Sequence, residues 1–412
     1  MQTTLAEKYK HQTYTTDAEH ILGRCVHCGF CNATCPTFQI TGDELEGPRG
    51  RIYVIKGILE GASPTLTTRN HLDRCLACQS CETTCPSGVQ YSRLLDIGRQ
   101  VHNEAMDGPL VDKWTRILLR KILLRPQLFK LLLLPANTFG FLIPKSLKKH
   151  IPPLGKVPAV KSTLNKQADN QRTLIMLRGC AQQVCVPEIN YAATELFNQL
   201  GFNVIESVED RCCGALSHHN DATEEARGLA RKNIDTWWPL IEQGAESIVV
   251  TASGCATMVR EYDYLLKNDA EYSDKAKRIA ELCRDPLEIL ENFSGHLKAR
   301  PGTPDRISYQ APCTQQHGLG IRGRVEQLLQ SAGFELTQQK IGHICCGSAG
   351  SYSTLQPKLS GQLQKNKLED LTRENPELIA TANIGCLLHL QSGTEIPVKH
   401  WLQIIDVDNT GL

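Results

Sequence analysis

The hydrophobic pattern of this chain changes character twice. Residues 18–24 are compatible with a short helix. After the cluster Gly47-Pro48-Arg49-Gly50-Arg51, read as a turn, the apolar positions Ile52, Val54, Ile55, Ile58 and Leu59 predict a helix ending near Gly61. Residues 109–153 are amphipathic and basic. Lys113, Arg116, Arg120, Lys121, Arg125, Lys130, Lys145, Lys148 and Lys149 interleave with Trp114, Ile117, Leu118, Leu119, Ile122, Leu123, Leu124, Phe129 and Leu131 to Leu134, against one acid, Asp112. Pro126, Pro135 and Pro144 are expected to break this segment into short helices. Pro152 to Arg172 is rich in Lys, Pro, Asn and Gln and reads as a linker. Beyond it, apolar runs at Leu174–Leu177, Val204–Glu206 and Ser247–Thr251 alternate with helical stretches at Tyr191–Leu200 and Glu225–Ile241. Strands alternating with helices predict a parallel sheet covered on both faces.

That second half is duplicated. Cys180, Gly201, the pair Cys212-Cys213 and Cys255 recur as Cys313, Gly333, Cys345-Cys346 and Cys386, at offsets of 131 to 133 residues. In each copy the cysteines fall in loops that follow strands, and such loops gather at the carboxyl edge of a parallel sheet. The expected division is therefore 1–108, helical; 109–171, amphipathic segment and linker; and two α/β domains, 172–300 and 301–412.

Composition narrows the function. The 412 residues are 41% hydrophobic and 22% charged, ordinary for a globular protein, and a net charge of +1 gives no field that would steer the chain to nucleic acid. Met1 to Asp17 is polar without the apolar core of a signal peptide, and the longest apolar run of the basic segment, Leu131 to Ala136, is too short to span a bilayer. A cytoplasmic protein is expected. The basic segment suits docking on an anionic membrane surface, packing on a partner subunit, or a plain helical linker with a solvated basic side. The departure from ordinary composition is the 18 cysteines, which in a reducing compartment point to metal ligation.

Eight of them form two runs. Cys25-x2-Cys28-x2-Cys31-x3-Cys35-Pro36 is repeated 50 residues later as Cys75-x2-Cys78-x2-Cys81-x3-Cys85-Pro86. This is the spacing of bacterial-type [4Fe–4S] ferredoxins, in which the fourth cysteine of each run ligates the other run's cluster. One cluster is expected on Cys25, Cys28, Cys31 and Cys85, the other on Cys75, Cys78, Cys81 and Cys35. Structural zinc normally joins two separated Cys-x2-Cys knuckles, so three thiols within seven residues favour iron and sulfide. A helical spacer of this length suits an all-helical two-cluster domain. Arg49 and Arg51 are expected either to raise a cluster's potential or to be an exposed helix cap. Candidate third and fourth sites are Cys180, Cys212, Cys213 and Cys255, and Cys313, Cys345, Cys346 and Cys386. Iron–sulfur clusters, zinc and a redox dithiol stay open there. Gly214 and Gly347, after each cysteine pair, permit close backbone approach. Cys185 and Cys283 have no counterpart in the other copy and read as ordinary cysteines. Gly318-x-Gly320-x2-Gly323 is a poor dinucleotide fingerprint, because its glycines do not form the first tight turn after a strand. His218, His219, His317 and His389 lie near the cysteine loops, with no role assigned.

A two-cluster ferredoxin domain followed by two Cys-Cys-Gly domains resembles the iron–sulfur subunits of quinone-linked, flavin-dependent dehydrogenases. The resemblance is carried by Arg24-Cys-Val-His-Cys-Gly-Phe-Cys31, Gly42-Asp-Glu-Leu-Glu-Gly-Pro-Arg-Gly-Arg-Ile52, His71-Leu-Asp-Arg-Cys75, Asn233-Ile-Asp-Thr-Trp-Trp-Pro239, Thr251-Ala-Ser-Gly-Cys255, Cys345-Cys-Gly-Ser-Ala-Gly350 and Thr381-Ala-Asn-Ile-Gly-Cys386. It is similar above all to the glycolate oxidase iron–sulfur subunit family. The resemblance implies an electron-transfer subunit with no catalytic residue of its own: FAD sits on a partner dehydrogenase subunit that oxidises glycolate to glyoxylate, and electrons pass toward quinone at the inner face of the membrane. Related D-lactate and glycerol-3-phosphate dehydrogenase subunits are alternatives. So are a heterodisulfide-reductase-like protein whose Cys-Cys-Gly domains reduce a substrate directly, and a metal-stapled scaffold. The chain departs from heterodisulfide reductase at Ala252 and Asn383, where that family places a further cysteine.

Overall fold

The computed structural model describes residues 1–106, 108–140, 144, 151–156, 172–207, 209 and 211–408. Lys145, Lys148, Lys149 and most of the expected linker lie outside these residues. Every regular element described before Thr173 is helical, and ten short strands follow. The architecture is thus an all-helical domain joined to an α/β region with parallel sheets.

In the helical part, Pro48–Leu59 lies across Tyr91–Ala105 and Thr15–Arg24 packs on the same long helix. Their apolar faces form a core of Ile21, Leu22, Ile52, Ile55, Leu59, Leu94 and Leu95. The Gly/Pro cluster is the first turn of its helix rather than a turn before it. Pro48 occupies the first helical position, where its fixed φ fits and its missing N–H costs nothing. Gly50 is required there, since a Cβ would stand 2.2 Å from the Glu44 carbonyl oxygen.

Arg51 is no exposed cap. It is fully buried, donates from Nη2 to Glu46 Oε2 at 2.9 Å and from Nε to the His71 carbonyl at 2.6 Å. Glu46 is buried too, and its Oε1 also accepts from Arg74 Nη1 at 2.7 Å. Arg49, half-exposed, pairs with Glu44 at 2.5 Å.

The basic segment forms two helices, Leu110–Leu123 and Pro126–Thr138. Pro126 separates them as expected, but Pro135 does not break the second. It sits in the last turn, where only one backbone hydrogen bond is lost, and Phe129 and Leu133 anchor the helix on Val184 and Cys185. The solvated basic side of a plain linker is found only in part: Lys113, Lys121, Arg125 and Lys130 are exposed, but two arginines turn inward. Arg116 is buried, with Nη2 2.7 Å from Asp73 and Nη1 3.3 Å from Asp221, and Arg120 pairs with Glu225 at 2.6 Å.

The α/β region holds two four-stranded parallel sheets of the same order. In the first, β1 (Thr173–Met176) lies between β2 (Asn203–Glu206) and β3 (Ser247–Val249), with β4 (Cys283–Arg284) outside β3. After β5 (Leu297–Ala299) the second repeats this. There β6 (Arg306–Gln310) lies between β7 (Glu335–Leu336) and β8 (Leu378–Thr381), and β9 (Val398–His400) is outside β8. One apolar core runs through both copies, from Leu174, Phe197 and Trp237 to Tyr309, Trp401 and Ile405. The last strand, β10 (Ile405–Val407), returns to pair antiparallel with β5, a ribbon that no hydrophobic pattern predicted.

Removing Glu46 leaves a buried guanidinium uncompensated. Glu46→Ala is expected to lower the free energy of unfolding by about 3–5 kcal/mol. Glu44→Ala, at the partly exposed pair, should cost about 1 kcal/mol or less. Urea unfolding of the two variants side by side checks this, and equal costs would overturn the role given to the buried pair.

Candidate metal centres

The two cysteine runs fold alike. Each turns through left-handed backbone at matched places, His27 and Gly29 in the first and Ala77 and Gln79 in the second. Non-glycine residues at φ of 50–60° are strained, and three of these four positions carry a side chain. The same strain at the same step in both runs marks a constraint shared by the two loops. The Ala77 N–H points to Cys75 Sγ at 3.5 Å.

The fourth cysteine of each run behaves differently. A residue before proline is driven out of the helical region, and Cys35 and Cys85 are both extended, with φ near −79° and −75°. Cys25 shares this extended backbone and stays with its own run, so what sets Cys35 and Cys85 apart is the cavity each one meets. Cys85 lines a cavity with Cys25, Cys28 and Cys31, and Cys81 borders both this cavity and the next. Cys35 lines a second with Cys75, Cys78 and Cys81. Arg49 borders the first cavity, Arg51 the second and Tyr91 both.

These surroundings suit an iron–sulfur cluster. Burial, then the neighbouring thiols Cys25, Cys85 and Cys28, push the Cys31 thiol up to about 11. Burial and Cys313 drive Cys78 well above the ordinary range. Thiolates crowded together in this way need a cationic core to hold them deprotonated. The buried Tyr91 hydroxyl has no protein hydrogen-bond partner among the described residues, and a cluster sulfur in either cavity would accept from it.

In the α/β copies the loops after parallel strands bring the other two sets together. Cys180 lies beside Cys212, and Cys213 beside Cys255. In the second set Cys313 Sγ lies 3.8 Å from Cys345 Sγ, and Cys346 meets Cys386. All 18 cysteines are free thiols, so neither adjacent pair is a disulfide. Gly214 and Gly347 hold φ of +94° and +92° beside their pairs, and a Cβ on Gly347 would stand 2.7 Å from the Ser360 carbonyl oxygen. Cys185 and Cys283 stay outside both sets as buried thiols, each pushed up to about 12 by burial.

The sets adjoin one another. Cys78 shares an apolar cluster with Cys345, Ile344 and Tyr352, which places the second ferredoxin-type set beside the second α/β set. Asn383 joins the two α/β sets: its Nδ2 donates to Cys386 Sγ at 3.6 Å, and its Oδ1 accepts from the Gly254 N–H at 3.4 Å, next to Cys255. His218 bonds Asp96 of the long helical-domain helix at 3.0 Å, and His219 completes a group with them. Burial lowers the pKa of His218, but the Asp96 carboxylate outweighs it and holds the imidazole above its ordinary value. His317 bonds Thr83 Oγ1 at 2.8 Å, and His389 meets Ser360 at 3.4 Å. His218 and His317 thus tie the two α/β copies to the helical domain, whereas the His389 contact stays within the second copy. The glycines 318–323 follow a π-type turn, Thr314–Gly318, that packs on Thr257 and Gln79, away from a strand end. Arg49 and Arg51 border the cavities, as one of the two expectations for them has it, whereas Tyr91 and Glu46, the buried partner of Arg51, carry no signal of a site role in the sequence.

Residues 21–89 match the 4Fe-4S dicluster domain family, and residues 175–260 and 307–391 each match the cysteine-rich domain family. The chain is 44% identical over 406 residues to the glycolate oxidase iron-sulfur subunit of Escherichia coli (strain K12), covering 98% of each. It is 28% identical to a probable glycolate oxidase iron-sulfur subunit of Bacillus subtilis (strain 168), over 90% of this chain and 88% of that one. Lactate utilization protein A of the same strain is 26% identical over 55% of this chain and 96% of its own length. Among solved structures, a hypothetical protein from Helicobacter pylori shares the fold, with a TM-score of 0.56 at 11% identity, over 96% of this chain and 72% of that one.

Gly347→Ala should strain the backbone by about 1–3 kcal/mol and lower the iron bound per chain. Gly361→Ala, at a helical position with open space around it, should be neutral or slightly stabilising. Thermal unfolding together with iron analysis of both variants checks the contrast.

Proposed function

This chain belongs to the family of glycolate oxidase iron–sulfur subunits, and we propose that it serves as the electron-transfer subunit of a flavin-linked glycolate dehydrogenase. A partner subunit carrying FAD takes two electrons and two protons from glycolate, leaving glyoxylate, and quinone is the final acceptor. Cys25, Cys28, Cys31 and Cys85 hold one [4Fe–4S] cubane, and Cys75, Cys78, Cys81 and Cys35 the other. Cys180, Cys212, Cys213 and Cys255, and Cys313, Cys345, Cys346 and Cys386, hold further clusters. Bound iron–sulfur groups accept and release one electron at a time, which suits a chain placed between a two-electron flavin and quinone.

The observation that carries the reading is the exchange of fourth cysteines: Cys85 lines the cavity of the first run and Cys35 that of the second. The protein's own residues set the remaining terms. Arg49 and Arg51 put positive charge beside the cavities, which favours the more reduced state. Cys28 is exposed, with Val26, Phe30 and Tyr53 also exposed around the first run, and this is where the flavin-bearing partner is proposed to approach. Cys78, packed with Cys345, gives the route inward to the Cys-Cys-Gly sets.

Anaerobically purified protein should hold at least about eight irons with matching sulfide, from two [4Fe–4S] cubanes. The exchange is tested with paired variants. Cys25→Ser with Cys85→Ser should lose one cubane, about four irons, whereas Cys75→Ser with Cys85→Ser should lose two, about eight. The opposite order would mean each run holds its own cluster. Co-expression with the candidate flavoprotein, assayed on glycolate, D-lactate and glycerol 3-phosphate, tests the substrate, and failure to retain a flavoprotein would overturn the subunit reading.

A further inference from the structure

The helices Leu110–Leu123 and Pro126–Thr138 pack on each other, and the first has an inverted polarity. The first turns its arginines inward: Arg116 to Asp73 and Asp221, Arg120 to Glu225. At 100° per residue, Leu110, Val111, Trp114 and Leu118 lie on the opposite side, and each is at least 60% exposed. The second helix buries Phe129 and Leu133 against Val184 and Cys185, while Leu131, Leu132 and Leu134, with Phe139 after its end, are 47–65% exposed. Scattered exposed leucines mean little, but eight exposed apolar side chains on and just after two successive helices that pack together make an apolar ridge of the kind that is covered in a working protein.

The charges around the ridge select what covers it. Lys121, Arg125 and Lys130 are exposed, and residues 109–140 contain a single acid, Asp112. Protein interfaces favour Tyr, Trp and Arg and are depleted in Lys, and their polar groups must find hydrogen-bonding partners. Here the ridge is mostly Leu and Val, with no hydrogen-bonding register, inside a rim rich in lysine. Acyl chains accept such a ridge without register, and anionic headgroups accept the ammonium and guanidinium tips as their stems lie along the apolar surface. No helix among the described residues is long and apolar enough to cross a membrane, so the surface would lie in the interface plane.

We propose that this two-helix face is a peripheral docking surface for an anionic lipid bilayer. It sits on the short helix Gln182–Cys185 that follows Cys180, so docking sets the first Cys-Cys-Gly domain toward the membrane. The proposal stands on this surface and goes beyond the electron route above. Its test therefore reads lipid binding rather than glycolate oxidation.

The intact, cluster-loaded protein is sedimented with vesicles of phosphatidylcholine alone or mixed with phosphatidylglycerol. Binding to the anionic vesicles, weakened by salt, is expected. Trp114→Ser with Leu118→Ser should lower partitioning at least about tenfold. Lys121→Gln with Lys130→Gln should reduce binding to anionic vesicles and leave the weak binding to neutral vesicles unchanged. All four substituted positions are exposed, so iron content and thermal stability should stay at the wild-type level, which separates lost docking from lost folding. Wild-type protein that ignores both vesicle types, or vesicle binding that the four substitutions leave intact, overturns the proposal. So does a result in which they abolish self-association or retention of the flavoprotein without affecting lipid binding, because the ridge would then be a protein interface.

Discussion

The constraint on which this structure depends is that neither cysteine run completes its own set. Proline after the fourth cysteine forces Cys35 and Cys85 into extended backbone, and each ends in the cavity of the other run. Two loops 50 residues apart must therefore be held in fixed register. The helices Pro48–Leu59 and Tyr91–Ala105 provide that register, with Gly98 set so close to Ile55 that a Cβ would stand 2.6 Å from its side chain. The buried Arg51–Glu46 pair follows from the same requirement. Arg51 borders the second cavity, and Glu46 ties it to Arg74, next to Cys75. A buried ion pair is a poor device for stability alone. One that ties the spacer helix to the second cysteine loop has a positional use.

The α/β region meets the same need by another route. Strand order 2-1-3-4 in both copies puts the cysteine loops at one sheet edge, and the adjacent pair is turned by a left-handed glycine that also lets the following helix come close. The copies are not chemically equal. Ala252 is a buried apolar residue in one, whereas Asn383 in the other donates to Cys386 and accepts from Gly254. A hydrogen bond to a ligating sulfur favours the reduced state of a cluster. Duplicated backbones thus hold two sites that differ in the groups facing sulfur, joined by the residue that differs.

The cysteine spacing, the duplication and the helical spacer were legible because each is written in local residue order. Predicted strands and helices in the first α/β copy fall within a few residues of those observed. What was hidden depends on segments distant in sequence. Arg51 looks like any basic residue in a first helical turn until Glu46 and the His71 carbonyl close over it. Tyr91 carries no motif and becomes part of the site only when the two runs meet. Pro135 was expected to end a helix, but proline in a last turn gives up one hydrogen bond while tertiary packing holds the rest. The β5–β10 ribbon joins residues more than a hundred positions apart, and three-residue strands leave no periodicity to read.

The basic segment shows where such a limit lies. Amphipathicity measures how strongly the two sides of a helix differ, and carries no sign for which side faces the protein. Ordinarily the apolar side turns inward, because water covers the charges at little cost. In Leu110–Leu123 the sign is set instead by carboxylates from other segments. Asp73 comes from the helical domain, Asp221 and Glu225 come from the first α/β domain, and Arg69 shares two of the three with Arg116. Arg116 is buried among them, so turning the helix over would leave Asp73 facing Leu or Trp and strand several charges without partners. Fixing the arginines inward leaves the apolar ridge outward. The ion pairs that dock this helix on the protein are therefore also what presents its leucines and Trp114 to whatever lies outside.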